Sequence, residues 1–222
     1  MNSLESVWKE REERLYPSLF GPVSRGIFPL THETFAEFGE DEVDPRWLHL
    51  GVFEFSPTPE RNSWLYATSG GSTPWDTEPE DFDPTEYSWL GVEFVVEAPA
   101  QAEWPIRLLR KVLAYHLLLC MDRLDGTPLD YGHRVPTGPI DGEPSTRVKI
   151  VAVAEPEHYP AQQQLASGKF DFLHLVGITE AERDWARSHS TAELVELLAK
   201  AGAFPVTQPT RASVMETEGR RS

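Results

Sequence analysis

The sequence feature that most constrains the fold is a long apolar helical pattern over residues 103–124, EWPIRLLRKVLAYHLLLCMDRL. Pro105 falls in its first turn, where a missing N–H costs no intrahelical hydrogen bond. Two apolar stripes together leave few polar positions in the later half of the pattern. The first stripe consists of Ile106, Leu109, Leu113, Leu117, Cys120 and Leu124, and the second of Leu108, Val112, Tyr115 and Leu119. The pattern predicts a helix that other elements must cover on more than one side.

Five segments have the apolar content and length of strands, and they are residues 47–56, 63–69, 88–98, 147–155 and 169–178. In the third, Leu90, Val92, Phe94 and Val96 alternate with Gly91, Glu93 and Glu97, which predicts a half-buried strand with its acidic side chains facing water. Strands before and after a long helix indicate an α+β fold, a mixed β-sheet covered by α-helices on at least one face.

Shorter helices and loops complete the expected organisation. We predict a helix over residues 4–16 that Pro17 stops, and a connection over 17–46 around a short helical piece, HETFAEF. A T-x-x-E capping box at Thr179 opens a helix to residue 187, and another ends at Gly202. Residues 70–87 are expected to form an exposed loop, and 204–208 a last strand.

Net charge and hydropathy exclude several classes of function. The 36 acidic and 20 basic residues give a formal charge of −16, which repels nucleic acid and anionic membranes and attracts basic partners. No segment approaches the ~18 consecutive apolar residues of a membrane span, and the amino-terminal residues lack a signal-peptide core. We therefore expect a cytoplasmic protein. The one cysteine, Cys120, rules out an intrachain disulfide.

Motifs for metal, nucleophile and phosphate chemistry are missing from the sequence. No two of the seven histidines have the three- or four-residue spacing of helical metal ligands, and H-E-x-x-H and C-x-x-C do not occur. Cys120 lies on an apolar stripe, Ser69 and Ser72 lack a nucleophile elbow, and the glycine pairs lack the helix that a phosphate cradle needs. We expect no metal and no cofactor.

The stretch LDYGHRVPTGPIDG, residues 129–142, admits three interpretations. It could be a catalytic loop, in which His133 is a general base oriented by Asp130 or Asp141 in a small hydrolase. It could be a solvated loop whose glycines and prolines set turns. It could be a recognition loop that presents Tyr131, His133 and Arg134 to a partner. Catalysis is the weakest of the three, because no stretch supplies a nucleophile for His133.

The order of motifs resembles the suppressor-of-fused domain family, in particular its bacterial members, from about Trp47 to Thr210. The resemblance lies in the succession SWLYATSGGS, LGVEFVVEAP, the Trp-Pro-headed helix EWPIRLLRKVLAY, the loop with Gly132 and His133, KFDFLHLVGIT, and EAERDWARSHSTAELVELLAK. It implies a suppressor-of-fused-like domain over residues 47–208. The helix and connection of residues 1–46 are expected to be part of the same domain, and residues 209–222 to form a flexible tail.

The resemblance also implies a function in protein binding without catalysis. Animal members hold a transcription factor through a short peptide, and bacterial members are similar to immunity proteins that neutralise a cognate toxin of a polymorphic toxin system. The family's ligand-facing positions match Tyr115, Asp130, Gly132 and His133, although Tyr115 could equally pack in the core. With Arg134, these residues form the expected partner-binding set, and the charge suits a basic toxin domain as the protein partner.

Overall fold

The computed structural model of the chain describes residues 3–218, and in this range eight strands form one sheet in the order β1-β2-β3-β4-β8-β6-β5, with β7 paired to β8. The strands are β1 Val23–Pro29, β2 Gly51–Phe55, β3 Trp64–Ser69, β4 Tyr87–Ala98, β5 Arg134–Pro136, β6 Val148–Ala154, β7 Gln162–Leu165 and β8 Gly168–Thr179. Neighbouring strands are antiparallel except β4 and β8, which run parallel. The sheet is therefore mixed, as predicted.

Helices cover both faces of this sheet. They are α1 Ser3–Lys9, a π-helical segment Glu10–Leu15, α2 Tyr16–Phe20, α3 His32–Ala36, α4 Trp104–Cys120, α5 Glu180–Ser188, α6 Thr191–Lys200 and α7 Met215–Glu218, with short 3-10 turns at Pro45–His49 and Pro79–Asp81. Helices α3 and α4 pack on one face; α1 and α2, together with α5 and α6, pack on the other. The α+β prediction of a helix-covered mixed sheet in a single domain is confirmed.

Helix α4 is buried along most of its length, as its double apolar stripe predicts. Its inner side packs against Phe94 and Val96 of β4, and Leu129 and Ile140 cover it from the segment that follows. The helix ends at Cys120, earlier than the predicted residue 124, because Asp122 takes a left-handed backbone conformation (φ 54°). Aspartate tolerates this conformation better than most residues, and it cannot continue a right-handed helix.

Strand β4 is buried on both faces, so the prediction of a half-buried strand was wrong. Glu93 and Glu97 are 0% and 2% exposed. The Glu93 carboxylate accepts hydrogen bonds from the hydroxyls of Thr68 (2.6 Å) and Ser72 (2.8 Å) and from the N–H groups of Gly70 and Ser72 (both 3.0 Å). A buried carboxylate needs such donors because it has lost its hydration.

Arg11 completes this buried polar cluster and ties the amino-terminal helices to the sheet. Its guanidinium is 1% exposed and lies 3.9 Å from the Glu93 carboxylate. It also donates to the hydroxyls of Ser69 (2.9 Å), Ser72 (3.1 Å) and Thr73 (3.1 Å). The hydroxyls of Ser69 and Ser72 therefore accept hydrogen bonds from a buried arginine. Residues 70–74 are buried, so they are not part of the exposed loop that was expected over residues 70–87.

Several predicted boundaries differ from the structure for identifiable reasons. Pro17 does not stop the first helix, because it lies in the first turn of α2, which continues to Phe20. Residues 45–49 form a 3-10 turn, so β2 begins at Gly51. Strand β1 lies within the predicted connection, and β5 and β7 were also missed. Of the strand expected at 204–208, only a single bridge forms, between Val206 and Glu97.

Part of the expected tail, 209–222, is anchored to the domain; residues 219–222 lie outside the described residues. Arg211 is 8% exposed and pairs with the fully buried Glu182, with its Nη2 atom 2.7 Å from Oε2. Ser213 and the N–H of Val214 also donate to Glu182. Polar contacts therefore hold this segment against the domain. Such contacts produce no regular apolar pattern, so the order of this segment could not be predicted from the sequence. No helix within residues 3–218 has the length and apolarity to cross a membrane.

We predict that Arg11→Met lowers the free energy of unfolding by about 3 kcal/mol, because it leaves Glu93 buried without its cation. Urea denaturation measures this change. Arg14→Met is the matched control, since Arg14 is exposed on the same helical segment, and we expect its effect to stay within about 0.5 kcal/mol. Equal stability of the two variants would contradict a structural role for the buried pair.

A second prediction concerns acid stability. Burial alone would raise the pKa of Glu182, but the hydrogen bonds and charge of Arg211 outweigh it and hold that pKa below its usual value. This carboxylate therefore stabilises the fold above its unfolded-state pKa of about 4.3, and the contribution is lost as the pH falls through the lower folded-state pKa.

Glu182→Gln should therefore destabilise the protein at pH 7, and the difference from the wild type should shrink as the pH is lowered from 5 to 3. Denaturation midpoints across this pH range test the prediction. Glu180→Gln, at an exposed position on the same helix, should leave the pH profile unchanged. A constant wild-type-to-variant difference from pH 7 to pH 3 would contradict the assignment.

Candidate functional site

Residues 129–142 form a wall at one edge of the sheet. Leu129 anchors its start, because its N–H donates to Nδ1 of the buried His116 (3.0 Å). Burial lowers the pKa of His116 to about 4, which keeps the ring neutral and Nδ1 free to accept. The chain then turns, enters β5 and pairs with β6, the next strand inward. The stretch is thus an ordered part of the sheet's edge rather than a solvated loop.

The turn over residues 130–133 closes on itself. The Asp130 carboxylate accepts from the N–H of Tyr131 (2.7 Å), and the Asp130 carbonyl accepts from the N–H of His133 (3.1 Å). Gly132 has φ +85°, a left-handed conformation that favours glycine, while a Cβ there would meet nothing within 4 Å. Glycine is therefore needed for the backbone conformation, and the space above it stays open.

Two contacts hold this turn against the body of the domain. The Thr191 hydroxyl at the start of α6 donates to the Gly132 carbonyl (2.6 Å) and accepts from Nη1 of Arg134 (2.7 Å). The Tyr131 hydroxyl donates to the carbonyl of Phe172 in β8 (3.1 Å). Sequence reasoning missed Thr191, since no local pattern links it to a turn about sixty residues earlier. These contacts make the turn a fixed surface.

The hydrolase hypothesis requires a carboxylate that orients His133, and neither candidate does so in the described part of the chain. Nδ1 of His133 accepts from the backbone N–H of Asp130 (3.3 Å). The Asp141 carboxylate accepts from the N–H of Glu143 (3.0 Å) and the hydroxyl of Thr146 (2.9 Å). His133 is thus oriented by the backbone of its own turn, and within residues 3–218 it forms no pair with the carboxylate of Asp130 or Asp141.

An apolar cavity of about 260 Å³ lies on the α4 side of β5. Tyr115 forms part of its wall and is half-buried, with its ring stacked on Phe38 at 5.7 Å between centroids. The other lining residues are Leu108, Lys111, Val112, Val135, Pro136 and Thr137. Tyr115 therefore packs against its neighbours and also lines a cavity; its contact with a ligand stays a prediction.

A second cavity, of about 750 Å³, lies on the opposite side of β5, against α5 and α6. Gly132 and Arg134 line it together with Tyr131, and Ala186, Thr191 and Val195 are among the residues on its helical side. Tyr115 thus faces one cavity and Gly132 and Arg134 face another, while Asp130 and His133 lie in the turn beside β5. The five predicted residues surround one strand but do not converge on one pocket.

Three residues that line the Tyr115 cavity were not predicted, and they are Phe38, Val135 and Pro136. Phe38 follows Phe35 by three residues in HETFAEF, a spacing that places both on one side of a helical turn, so a signal was present. Val135 and Pro136 gave no signal, because three residues are too few to show strand periodicity. Their place in the site depends on β5, which was not predicted.

Within residues 3–218, no three histidine, cysteine, aspartate or glutamate side chains are grouped closely enough to hold a metal ion. Cys120 is half-buried, and burial raises the pKa of its thiol to about 11. The thiol is therefore protonated at neutral pH and a poor nucleophile. The described residues around β5 offer apolar walls, hydrogen-bonding groups and exposed backbone.

Three solved structures share this fold. Drosophila Suppressor of Fused is 18% identical, with a TM-score of 0.61 over 77% of this chain and 44% of that one. A structure of the Sufu–Fu complex is 17% identical, with a TM-score of 0.68 over 98% and 94% of the two chains. A SUFU homologue from Neisseria gonorrhoeae FA 1090 is 18% identical, with a TM-score of 0.57 over 96% and 94%.

These identities establish likeness of fold, and the chain spans less than half the length of the Drosophila protein. A comparison with curated proteins gave no match. The family model described as Suppressor of fused protein (SUFU) matches residues 46–212, which confirms the resemblance inferred from the motifs. That range includes α4, β5 and the whole wall of residues 129–142. The chain therefore belongs to the suppressor of fused (SUFU) protein family.

Proposed function

We propose that this chain is a non-enzymatic protein-binding module that holds its partner at the edge of the sheet around β5. The observation that carries the proposal is an edge strand beside an apolar cavity. Strand β5 is the last strand in the sheet order, and within the described residues it pairs only with β6. The outer edge of such a strand can pair with an extended segment of another protein.

The surroundings of β5 favour a specific partner over indiscriminate strand pairing. The strand has three residues and includes Pro136, which lacks an N–H, so it can offer only a short run of backbone hydrogen bonds. Specificity must then come from side chains that enter the neighbouring cavities. The cavity beside Tyr115 is smaller than the usual range for a small-molecule ligand, and it suits an inserted side chain.

The expected contact residues are Tyr115, Asp130, Gly132, His133 and Arg134. The Tyr115 hydroxyl has no hydrogen-bond partner within residues 3–218, and Asp130 and Gly132 are exposed. The backbone hydrogen bonds of the turn and the contacts of Thr191 fix this surface before a partner arrives. A preformed surface lowers the entropy that binding must overcome.

Family membership supports a protein as the ligand. The Sufu of one related structure is in complex with Fu, so a protein of this fold binds another protein. For the present chain we propose, more narrowly, an immunity protein of a bacterial polymorphic toxin system that neutralises its cognate toxin in the cytoplasm. The charge of −16 supports a basic toxin domain as the partner, because it speeds encounter with a cationic protein.

The test is a protection assay in bacteria. The products of genes adjacent to this one are expressed singly to find one that arrests growth, and the chain is then co-expressed with it. We expect the wild type to restore growth. Tyr115→Ala and His133→Ala should reduce both protection and the affinity for the toxin by tenfold or more, because each removes a contact from the proposed face.

Ile27→Ala and His158→Ala are the controls, since Ile27 is exposed on β1 at the opposite edge of the sheet and His158 is exposed between β6 and β7. They should protect like the wild type, and all four variants should show the circular dichroism spectrum of the folded protein. Protection that is equally strong in all four variants would exclude the β5 face. A toxic neighbour against which the wild type gives no protection would contradict the immunity function.

A further inference from the structure

A third cavity, of about 360 Å³, adjoins the Tyr115 cavity and differs from it in charge. The two share Leu108, Lys111 and Thr137 as a common wall. The rest of the third cavity is lined by Thr31, Glu33, Thr34, Glu37, Arg107, Arg110, Pro139, Ile140 and Gly142. Together the two cavities form a groove between α3, α4 and residues 135–142, with an apolar end and a cationic end.

The cationic end has two guanidinium groups that form no ion pair within the described residues. Lys111 is paired with Glu37 (2.8 Å), but neither Arg107 nor Arg110 has a carboxylate oxygen within 4.0 Å in the described part of the chain. Glu33 is the remaining acidic residue of the lining. Two arginines against one carboxylate give a local surplus of positive charge in a protein whose overall charge is −16.

The hydrogen bonds of these arginines are incomplete. Arg110 donates through Nη2 to the hydroxyls of Thr31 (3.1 Å) and Thr34 (3.4 Å), while its Nε atom is buried without a partner in the described residues. Arg107 is exposed, and its one hydrogen bond is from Nη2 to the Asp141 carbonyl (3.0 Å). A buried donor without an acceptor is unfavourable. An anion bound in the cavity would supply acceptors for both guanidiniums.

We propose that Arg107 and Arg110 form a carboxylate-binding subsite for an acidic side chain of the partner's bound segment. The proposal rests on the proposed function in one respect, that the ligand is part of a protein. Arginine recognises a carboxylate through paired N–H donors, and such charge-assisted hydrogen bonds are stronger than neutral ones.

The adjoining position of the two cavities defines the partner motif more closely. Leu108, Lys111 and Thr137 line both cavities, so a side chain in the Tyr115 cavity and a side chain at the arginines occupy neighbouring compartments of one groove. In an extended segment, side chains two residues apart lie on the same face and are separated by about 6.6 Å. An extended partner beside β5 can therefore place an apolar side chain in the Tyr115 cavity and a carboxylate at the arginines, which gives the motif apolar-x-acidic in either chain direction.

Capped tripeptides are titrated into the full chain at pH 7, and NMR signals of the backbone amides and the arginine Nε–H groups report binding. The probes are acetyl-Leu-Ala-Asp-amide and acetyl-Asp-Ala-Leu-amide. We expect at least one of them to cause saturable shifts at Arg107, Arg110 and the residues around Tyr115. The matching peptide with Asn in place of Asp should bind at least tenfold more weakly, and so should a peptide with Ser in place of Leu.

Two variants separate the subsite from the stability of the fold. Arg107→Gln removes an exposed guanidinium and should weaken the Asp peptide about tenfold while leaving the Asn peptide unchanged. Arg14→Gln, at an exposed arginine of the segment Glu10–Leu15, should change neither. Equal binding of the Asp and Asn peptides, no shift at the two arginines with either chain direction, or an Arg107→Gln variant that binds like the wild type would each overturn the proposal.

Inorganic phosphate tests whether the two arginines bind a phosphoryl group instead of a carboxylate. Binding of phosphate at Arg107 and Arg110 that is tighter than that of both Asp peptides would overturn the carboxylate assignment in favour of a phosphoryl ligand. These titrations need no natural partner. Their failure would leave the protection assay unaffected, and failure of the protection assay would leave a measured peptide subsite in place.

Discussion

Burial of α4 is the constraint on which the rest of the structure depends. Because the helix is apolar on nearly every side, the sheet alone cannot cover it. Strand β4 covers one side, α3 a second, and residues 129–142 a third through Leu129 and Ile140. A gap remains between α3 and β5, where neither element covers α4. In this gap the surface of α4 from Arg107 to Tyr115 forms the floor of a groove. The groove thus follows from how a helix of this length is enclosed.

The parts of the fold that follow from apolar periodicity could be predicted from the sequence, and the parts held by backbone or polar contacts could not. Strands β2, β3, β4, β6 and β8 were found because their side chains are buried. Strand β1 has mostly exposed side chains, and apart from the Arg25–Glu54 pair and the packing of Phe28 it joins the sheet through its backbone. Arg11 is instructive, since it occupies a position of the apolar stripe of Leu4, Val7 and Leu15 where an apolar residue is expected. A charge inside such a stripe indicates a buried partner, here Glu93.

The candidate site was only partly accessible to sequence reasoning. The turn residues Asp130 to Arg134 stood out through their glycine and polar side chains, and Tyr115 through the family resemblance. Their division between the two sides of β5 depends on a three-residue strand that no periodicity could show. The arginines of α4 gave no signal of their own, because a polar residue on a helix is ordinarily a solvated one. Their significance depends on the cavity beneath them and on the carboxylates that they lack.

Amide hydrogen exchange, measured on the chain alone and in complex with the protein partner that the protection assay identifies, tests whether β5 and the groove beside it form the partner-binding face. We expect slowed exchange in residues 130–142 and along α4 from Arg107 to Tyr115, with α5 and the loop of residues 76–86 changed less. Unchanged exchange over residues 130–142, with protection concentrated in the acidic loop or on α1, would contradict this assignment.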